Sequence, residues 1–433
     1  MNILIQNGRV IDPASGLDQI ADVAIAGGLI VAVGPAPADF TSHRVIDAQG
    51  CIVAPGLVDL AARLREPGQE HASMLESEMA AAVAGGVTSL VCPPDTEPVL
   101  DEPGLVEMLR YRAEKLHQAR VLPLGALTVG LKGDVLTEMG QLTAAGCVGF
   151  SQAEVPIPST QVLQRALQYA STFGYAVWLR PQELHLGKGV AASGPLATRM
   201  GLSGVSVAAE TIALHTIFEL VRSTRARVHL CRISSAQGVE LVRQAKAEGL
   251  PVTADVSINS LHLTDTDMGY FDSRARLTPV LRQQRDRDAL RAGLADGTLD
   301  ALVSDHTPVD ADAKALPFAE AEAGATGLEL LWSLALKWGQ DAGLPISQVL
   351  ARITSDPARV LGAALGPSHS WMGHLVVGGA ADVCILSTMD HWPVTAATLR
   401  SQGKSTPFSG YELPGRVLAT LVGGRVAFEV GGV

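Results

Sequence analysis

The sequence predicts an α/β fold: a (β/α)8 barrel with a small β-sandwich domain contributed by both chain termini. Two observations place the barrel. Short apolar, β-rich runs alternate with long helical patterns through the middle of the chain, which marks a buried parallel sheet wrapped by helices. These runs number eight, enough to close a barrel. A third observation places the second domain, because at both ends the pattern changes to strands joined by Asn-Gly, Gly-Gly and Pro signals.

In order along the chain, terminal strands are expected at residues 3–6, 8–11, 21–26, 29–33 and near 45–53. Barrel strands follow at 57–63, 87–92, 121–126, 147–151, 176–180, 227–231, 251–256 and 301–305. Helices with apolar periodicity stand between them, for instance at 73–84, 161–172, 211–221 and 239–247. The small-domain pattern returns at 374–386 and 415–428. The expected division is therefore a barrel of residues 56–369 and a composite β-domain of residues 1–55 and 370–433. An open doubly wound sheet is the alternative, but no Gly-x-Gly-x-x-Gly follows the first barrel strand, so nothing supports a dinucleotide site.

With 433 residues, 47% of them hydrophobic, the chain can bury a large core. A net charge of -11 argues against nucleic acid or an anionic membrane as the main partner, since phosphate binding needs a basic face. The first residues lack a charged segment followed by an apolar one, and no run of about 18 apolar residues suggests a membrane span. A cytoplasmic protein is expected. The five cysteines, Cys51, Cys92, Cys147, Cys231 and Cys384, stand apart without a Cys-x-x-Cys pair and read as buried, reduced thiols.

In a barrel, functional residues sit at the C-terminal ends of the strands. The first run ends Asp59-Leu-Ala61-Ala-Arg63-Leu-Arg65, and the fourth ends Ser151-Gln-Ala153-Glu154. The fifth ends Leu179-Arg180-Pro-Gln-Glu183, the sixth His229-Leu-Cys231-Arg232-Ile-Ser234, and the eighth Ser304-Asp305-His306. No His-x-His or His-Glu-x-x-His spacing occurs anywhere, and no Gly-x-Ser-x-Gly frame offers a nucleophile. His229 reads as a satisfied core histidine. Asp305 and His306 read as a salt-bridge acceptor and a packed rim residue, with a general-base pair as the alternative.

These segments resemble the strand-end signatures of dihydroorotases, in the amidohydrolase superfamily of TIM-type barrels. That family writes Asp-x-His-x-His-x-Arg at the first strand, where this chain has Ala61 and Arg63 at the histidine positions. The resemblance places the remaining metal-ligand positions on Ala153, Arg180, Arg232 and Asp305. Of the six, only Asp305 keeps a donor suited to a divalent metal, because alanine has none and arginine stays cationic. Substrate positions fall on Arg65, which is retained, on Asp95, where asparagine is usual, and on Thr278, which replaces another asparagine. Further segments at 88–98, 201–210, 277–282 and 403–412 match as well, so the likeness runs almost end to end.

The resemblance implies a catalytically inactive dihydroorotase homologue with no catalytic residue, no cofactor and no zinc. In particular, it is similar to the non-catalytic subunits that assemble with aspartate carbamoyltransferase in de novo pyrimidine biosynthesis. A hetero-oligomer with that enzyme is expected, with no nucleic-acid or membrane partner. Two alternatives stay open: an anion- or metabolite-binding regulatory module that uses the arginine cluster, and an active cyclic amidohydrolase. Arg63, Arg180 and Arg232 are expected to plug the barrel mouth by pairing with Asp305 and Glu183.

Overall fold

The computed structural model describes residues 2–365, 369 and 371–431. The terminal sheet is organised on β1 (Ile3–Asp12), which buries Ile3, Ile5 and Val10. A Gly27-Gly28 turn joins β2 (Leu17–Ala26) to β3 (Leu29–Val33); β2 runs antiparallel to both β1 and β3. On its other edge β1 takes two short parallel partners in succession, β4 (Arg44–Asp47) and β5 (Ile52–Pro55).

The chain then enters the barrel, with strands β6 (Leu57–Asp59), β7 (Val87–Cys92), β8 (Arg120–Pro123), β9 (Gly125–Ala126), β10 (Phe150–Ser151) and β11 (Ala176–Leu179). A two-stranded pair outside the barrel follows, β12 (Ala191–Ala192) and β13 (Gly204–Val205). The barrel resumes with β14 (Arg227–Leu230), β15 (Val252–Ser257) and β16 (Ala301–Val303). All barrel pairings are parallel, in the orders β6-β7-β8 and β9-β10-β11-β14-β15-β16. β8 and β9 are two halves of the third strand, broken at Leu124, whose N–H donates to the Cys92 carbonyl at 2.9 Å. The ring closes where Ala62 bridges His306, with the Arg63 N–H on the His306 carbonyl at 2.8 Å. Each of the eight expected strands overlaps an observed one. β7, β11 and β16 are buried at every position, as a sheet covered by helices on its outer face and filled by side chains within requires.

After the barrel, β17 (Val383–Pro393) lies antiparallel on β5 and is followed by β18 (Glu412–Val422) and β19 (Arg425–Glu429). Both termini thus share one eight-stranded sheet. The segment between β17 and β18 returns to the barrel: the N–H groups of Arg400 and Ser401 donate to the Glu329 carboxylate, and the Ser401 hydroxyl donates to Glu78. Val394, Leu399 and Phe408 are buried in the barrel core for the same reason. The division expected between residues 369 and 370 falls at residue 370, outside the described residues.

Candidate active site

The short barrel strands release the chain just where the sequence places the functional positions, and the backbone there is unusual. Arg65, Ala153, Arg232 and Asp305 all have positive φ, between 49° and 61°. A side chain in that region is strained, and such residues cluster at functional sites, held by the surrounding structure. Two of these positions, Ala153 and Arg232, carry side chains that differ from those the resemblance expects there, while Arg65 and Asp305 carry the expected ones.

The three expected arginines do converge, but on a different acid. Glu154 is the hub: Arg63 Nη2 donates to it at 3.0 Å, Arg180 Nη1 at 2.8 Å, and Arg232 Nη2 completes the set. Burial opposes the charge of Glu154, yet Arg232, Arg180 and Arg63 outweigh it and hold the carboxyl far below the usual range. Arg63 also donates through Nε to Asp95 at 2.8 Å and through Nη1 to the Thr307 hydroxyl at 3.2 Å. Arg232 Nη1 reaches Asp305 at 2.9 Å. Burial works against the Arg232 cation, but Glu154 and Asp305 more than offset it and raise its pKa. Glu183, the other expected acceptor, instead takes the backbone N–H groups of His185 and Leu186 at its own loop.

The substrate positions are likewise engaged. Arg65 donates to the Pro308 carbonyl at 2.8 Å, to Gln69 at 2.8 Å and to Glu322 at 3.2 Å. Asp95 is neutralised by Arg63, so the carboxylate at the usual asparagine position does not stand as a free anion. Thr278 lies on the mouth wall with its carbonyl 3.4 Å from Arg232 Nη1. Ala61 contributes only backbone, its carbonyl accepting from the His306 N–H at 3.1 Å. Together Arg63, Arg65, Arg180 and Arg232 face Asp95, Glu154, Asp305 and Glu322 around a cavity of about 370 Å3.

His229 and His306 are buried and bonded. His229 Nε2 lies 2.8 Å from Asp255, and Nδ1 lies 2.8 Å from the Thr253 hydroxyl. His306 Nε2 lies 2.6 Å from Glu78, while Nδ1 accepts the Gly327 N–H at 3.1 Å. Sequence reading missed Glu154 and Glu78. The signal for Glu154 was available, since a lone acid beside Ala153 at a strand end facing three arginine positions must supply their counter-charge.

The expectation that no zinc is held requires correction. Among the described residues, His229, Cys231 and Asp255 each bring one donor atom within 4.8 Å of the others, a group that could hold a metal ion. It was overlooked because Asp255 lies on the neighbouring strand β15, so the grouping exists only in the folded barrel. An imidazole, a thiol and a carboxylate suit zinc, which with three such ligands keeps a fourth position for water. Binding there would replace the hydrogen bond between His229 and Asp255 and remove the Cys231 proton, which burial, with Asp255, holds well above the usual thiol range.

Comparison with known proteins agrees with the fold and bears on the activity. Residues 50–238 match the family described as dihydro-orotase-like. The dihydroorotase-like protein of Pseudomonas aeruginosa is 44% identical over 99% of this chain and 100% of its own length. Proteins named dihydroorotase from Geobacter sp. and Anaeromyxobacter sp. are 38% and 40% identical, over 100% and 99% of this chain and 100% and 98% of theirs. Among solved structures, the L-hydantoinase (dihydropyrimidinase) of Arthrobacter aurescens superposes with a TM-score of 0.86 at 24% identity, over 100% of this chain and 97% of its own. The D-hydantoinase of Thermus sp. gives 0.83 at 22%, over 99% and 95%. These likenesses establish the barrel with its β-sandwich domain. They also correct the expectation of a chain that is not an enzyme: relatives matching from end to end carry an enzyme's name, which points to an active amidohydrolase. Side-chain changes at strand ends were too narrow a basis for that expectation, because the likeness to the relatives named dihydroorotase runs along the whole chain. The chain belongs to the dihydroorotase-like family of amidohydrolases.

Proposed function

We propose that this amidohydrolase serves de novo pyrimidine biosynthesis as a dihydroorotase-like subunit that assembles with aspartate carbamoyltransferase and supports its assembly or activity. Its own reaction class is hydrolysis of a cyclic amide. The observation that carries the dihydroorotase-like part of the reading is the end-to-end likeness to the dihydroorotase-like protein of Pseudomonas aeruginosa, 44% identical over 99% of the chain; the partner follows from the resemblance of the strand-end segments to the non-catalytic subunits. Supporting it, the ion pairs of Glu154, Arg63, Arg180, Arg232 and Asp305 tie the ends of β6, β10, β11, β14 and β16 into one rim. A rim held from several strands presents loops in fixed positions, which recognition of a partner requires.

The test is to mix this protein with the carbamoyltransferase of the same organism, then measure mass by light scattering and the carbamoyltransferase rate. A stable hetero-oligomer, burying on the order of 1,000 Å2 or more at each contact, with a faster carbamoyltransferase is the expected result. Separate masses at micromolar concentration, with a partner fully active alone, would reject the assembly role. Dihydroorotate turnover by the same fractions reads the amidohydrolase role separately.

A further inference from the structure

A second cavity, of about 280 Å3, lies beside the barrel mouth, between the 152–158 loop, the 182–185 loop and the facing helices Thr160–Phe173 and Ala208–Thr224. Its walls are mostly apolar, with Val155, Ile157, Leu163, Leu184, Ile212 and Ile217 among them. Arg180 stands in the partition, lining both this cavity and the mouth.

The state of Arg180 is what makes the cavity informative. Its side chain is only 12% exposed, and among the described residues its one hydrogen bond runs from Nη1 to Glu154, an acid it shares with Arg63 and Arg232. No described residue accepts from Nε or Nη2. Neither of two other acids nearby accepts from Arg180: Glu183, which also lines this cavity, takes the N–H groups of His185 and Leu186 on Oε2, and Glu210 takes the N–H and hydroxyl groups of Ser234 and Ser235. Nε and Nη2 form the side edge of a guanidinium, which matches two carboxylate oxygens. Elsewhere in this chain that edge is used in this way, with Arg222 Nε and Nη2 holding Glu248 at 2.7 and 2.9 Å, and Arg9 holding Asp18 at 2.7 and 2.8 Å.

We propose that this cavity is a binding site for a small monocarboxylate with an apolar body, the carboxylate taken by Nε and Nη2 of Arg180 and the body packed among Ile157, Leu163, Ile212 and Ile217. The volume lies just below the range of about 300–1,000 Å3 usual for drug-sized ligands, which limits the body to one ring or a short branched chain. The proposal is independent of assembly with the carbamoyltransferase. Because Arg180 is shared with the rim, an occupant would couple this cavity to the mouth through Glu154.

The test uses benzoate as the probe, with benzamide as its neutral counterpart and inorganic phosphate as an anion without an apolar body. Calorimetry and thermal shift on the full chain should show saturable binding of benzoate and none of the other two. Arg180→Lys keeps the charge but loses the fork, and should weaken benzoate at least about tenfold. Ala213→Trp fills the cavity from the helix without touching the ion pairs, and should abolish binding in a folded protein even where the arginine variant fails to fold. Phosphate binding as tightly as benzoate, benzoate binding unchanged in Ala213→Trp, or no benzoate binding at about 10 mM would each overturn the proposal.

Discussion

Arg232 and Asp305 meet across the barrel mouth, Nη1 to Oδ1 at 2.9 Å, with both side chains buried. Each sits at positive φ just past the end of its strand, β14 or β16, so the pair joins two strained turns as well as two charges. A third link, Arg232 to Glu154, extends the contact to β10. Such a cluster is stable only when every member is paired.

Removing Asp305 should therefore destabilise the protein. In Asp305→Ala, Arg232 loses the charged acceptor on Nη1 and keeps there only the long contact to the Thr278 carbonyl, and a loss of about 3–5 kcal/mol is expected. Asp305→Asn, which keeps one oxygen acceptor, should lose less. Urea denaturation midpoints check both, and an Asp305→Ala midpoint equal to that of the wild type would show that the pair contributes nothing.

Glu154 should make stability depend on acid. Its carboxyl titrates lower in the folded protein than the unfolded value of about 4.3, so its contribution is complete above that pH and is lost as pH falls through the folded value. The stability gap between wild type and Glu154→Gln should hold steady from about pH 8 to 5 and shrink below about pH 4. A gap that does not change with pH would remove Glu154 from the role of charged hub.

Lys314 acts in the opposite pH range. Its ammonium is buried, donating to the carbonyls of Ser273 at 3.1 Å and Arg276 at 2.9 Å, and burial, followed by Arg276, brings its pKa down to about 7. Between that value and the unfolded value of about 10.4 the unfolded chain binds more protons, so stability rises with pH. Relative to Lys314→Met, the wild type should gain at most about 1.4 kcal/mol per pH unit across this window. Matched denaturation series at pH 7, 8 and 9 measure it; parallel curves for the two proteins count against a depressed lysine.

Gly68 should not tolerate a side chain. It sits at φ 96°, and a Cβ there would come within 1.9 Å of the Glu97 carbonyl oxygen. Next to it, the Pro67 carbonyl accepts the Glu97 N–H at 3.0 Å and joins the loop after β6 to the loop that carries Asp95. Gly68→Ala should cost about 1–3 kcal/mol by overpacking, read as a lower melting temperature. A shift no larger than that of an exposed control such as Gly104→Ala, where a Cβ meets nothing, would contradict the close approach.

Much of this architecture was legible in the sequence because its signals are local. Apolar runs such as 87–92 and 176–180 mark strands buried on both faces, and the segment Asp59-Leu-Ala61-Ala-Arg63-Leu-Arg65 identified the barrel mouth and its family. The three arginines at the mouth were legible for the same reason, since strand ends can be read one at a time. Asp305 was legible as a partner too, and it holds Arg232; the shared partner Glu154 was not. Glu154 rather than Glu183 holds Arg180, because the fourth strand end turns inward at Ala153, φ 49°, while Glu183 is drawn off to cap its own loop. The grouping of His229, Cys231 and Asp255 depends on β14 lying beside β15 in a fixed register, and that contact joins residues 26 positions apart. Local pattern thus determined which elements form and which residues reach the mouth. The closed ring decided which of those residues touch, because charge pairing and ligand geometry act over a few ångströms in space and leave no period in the chain.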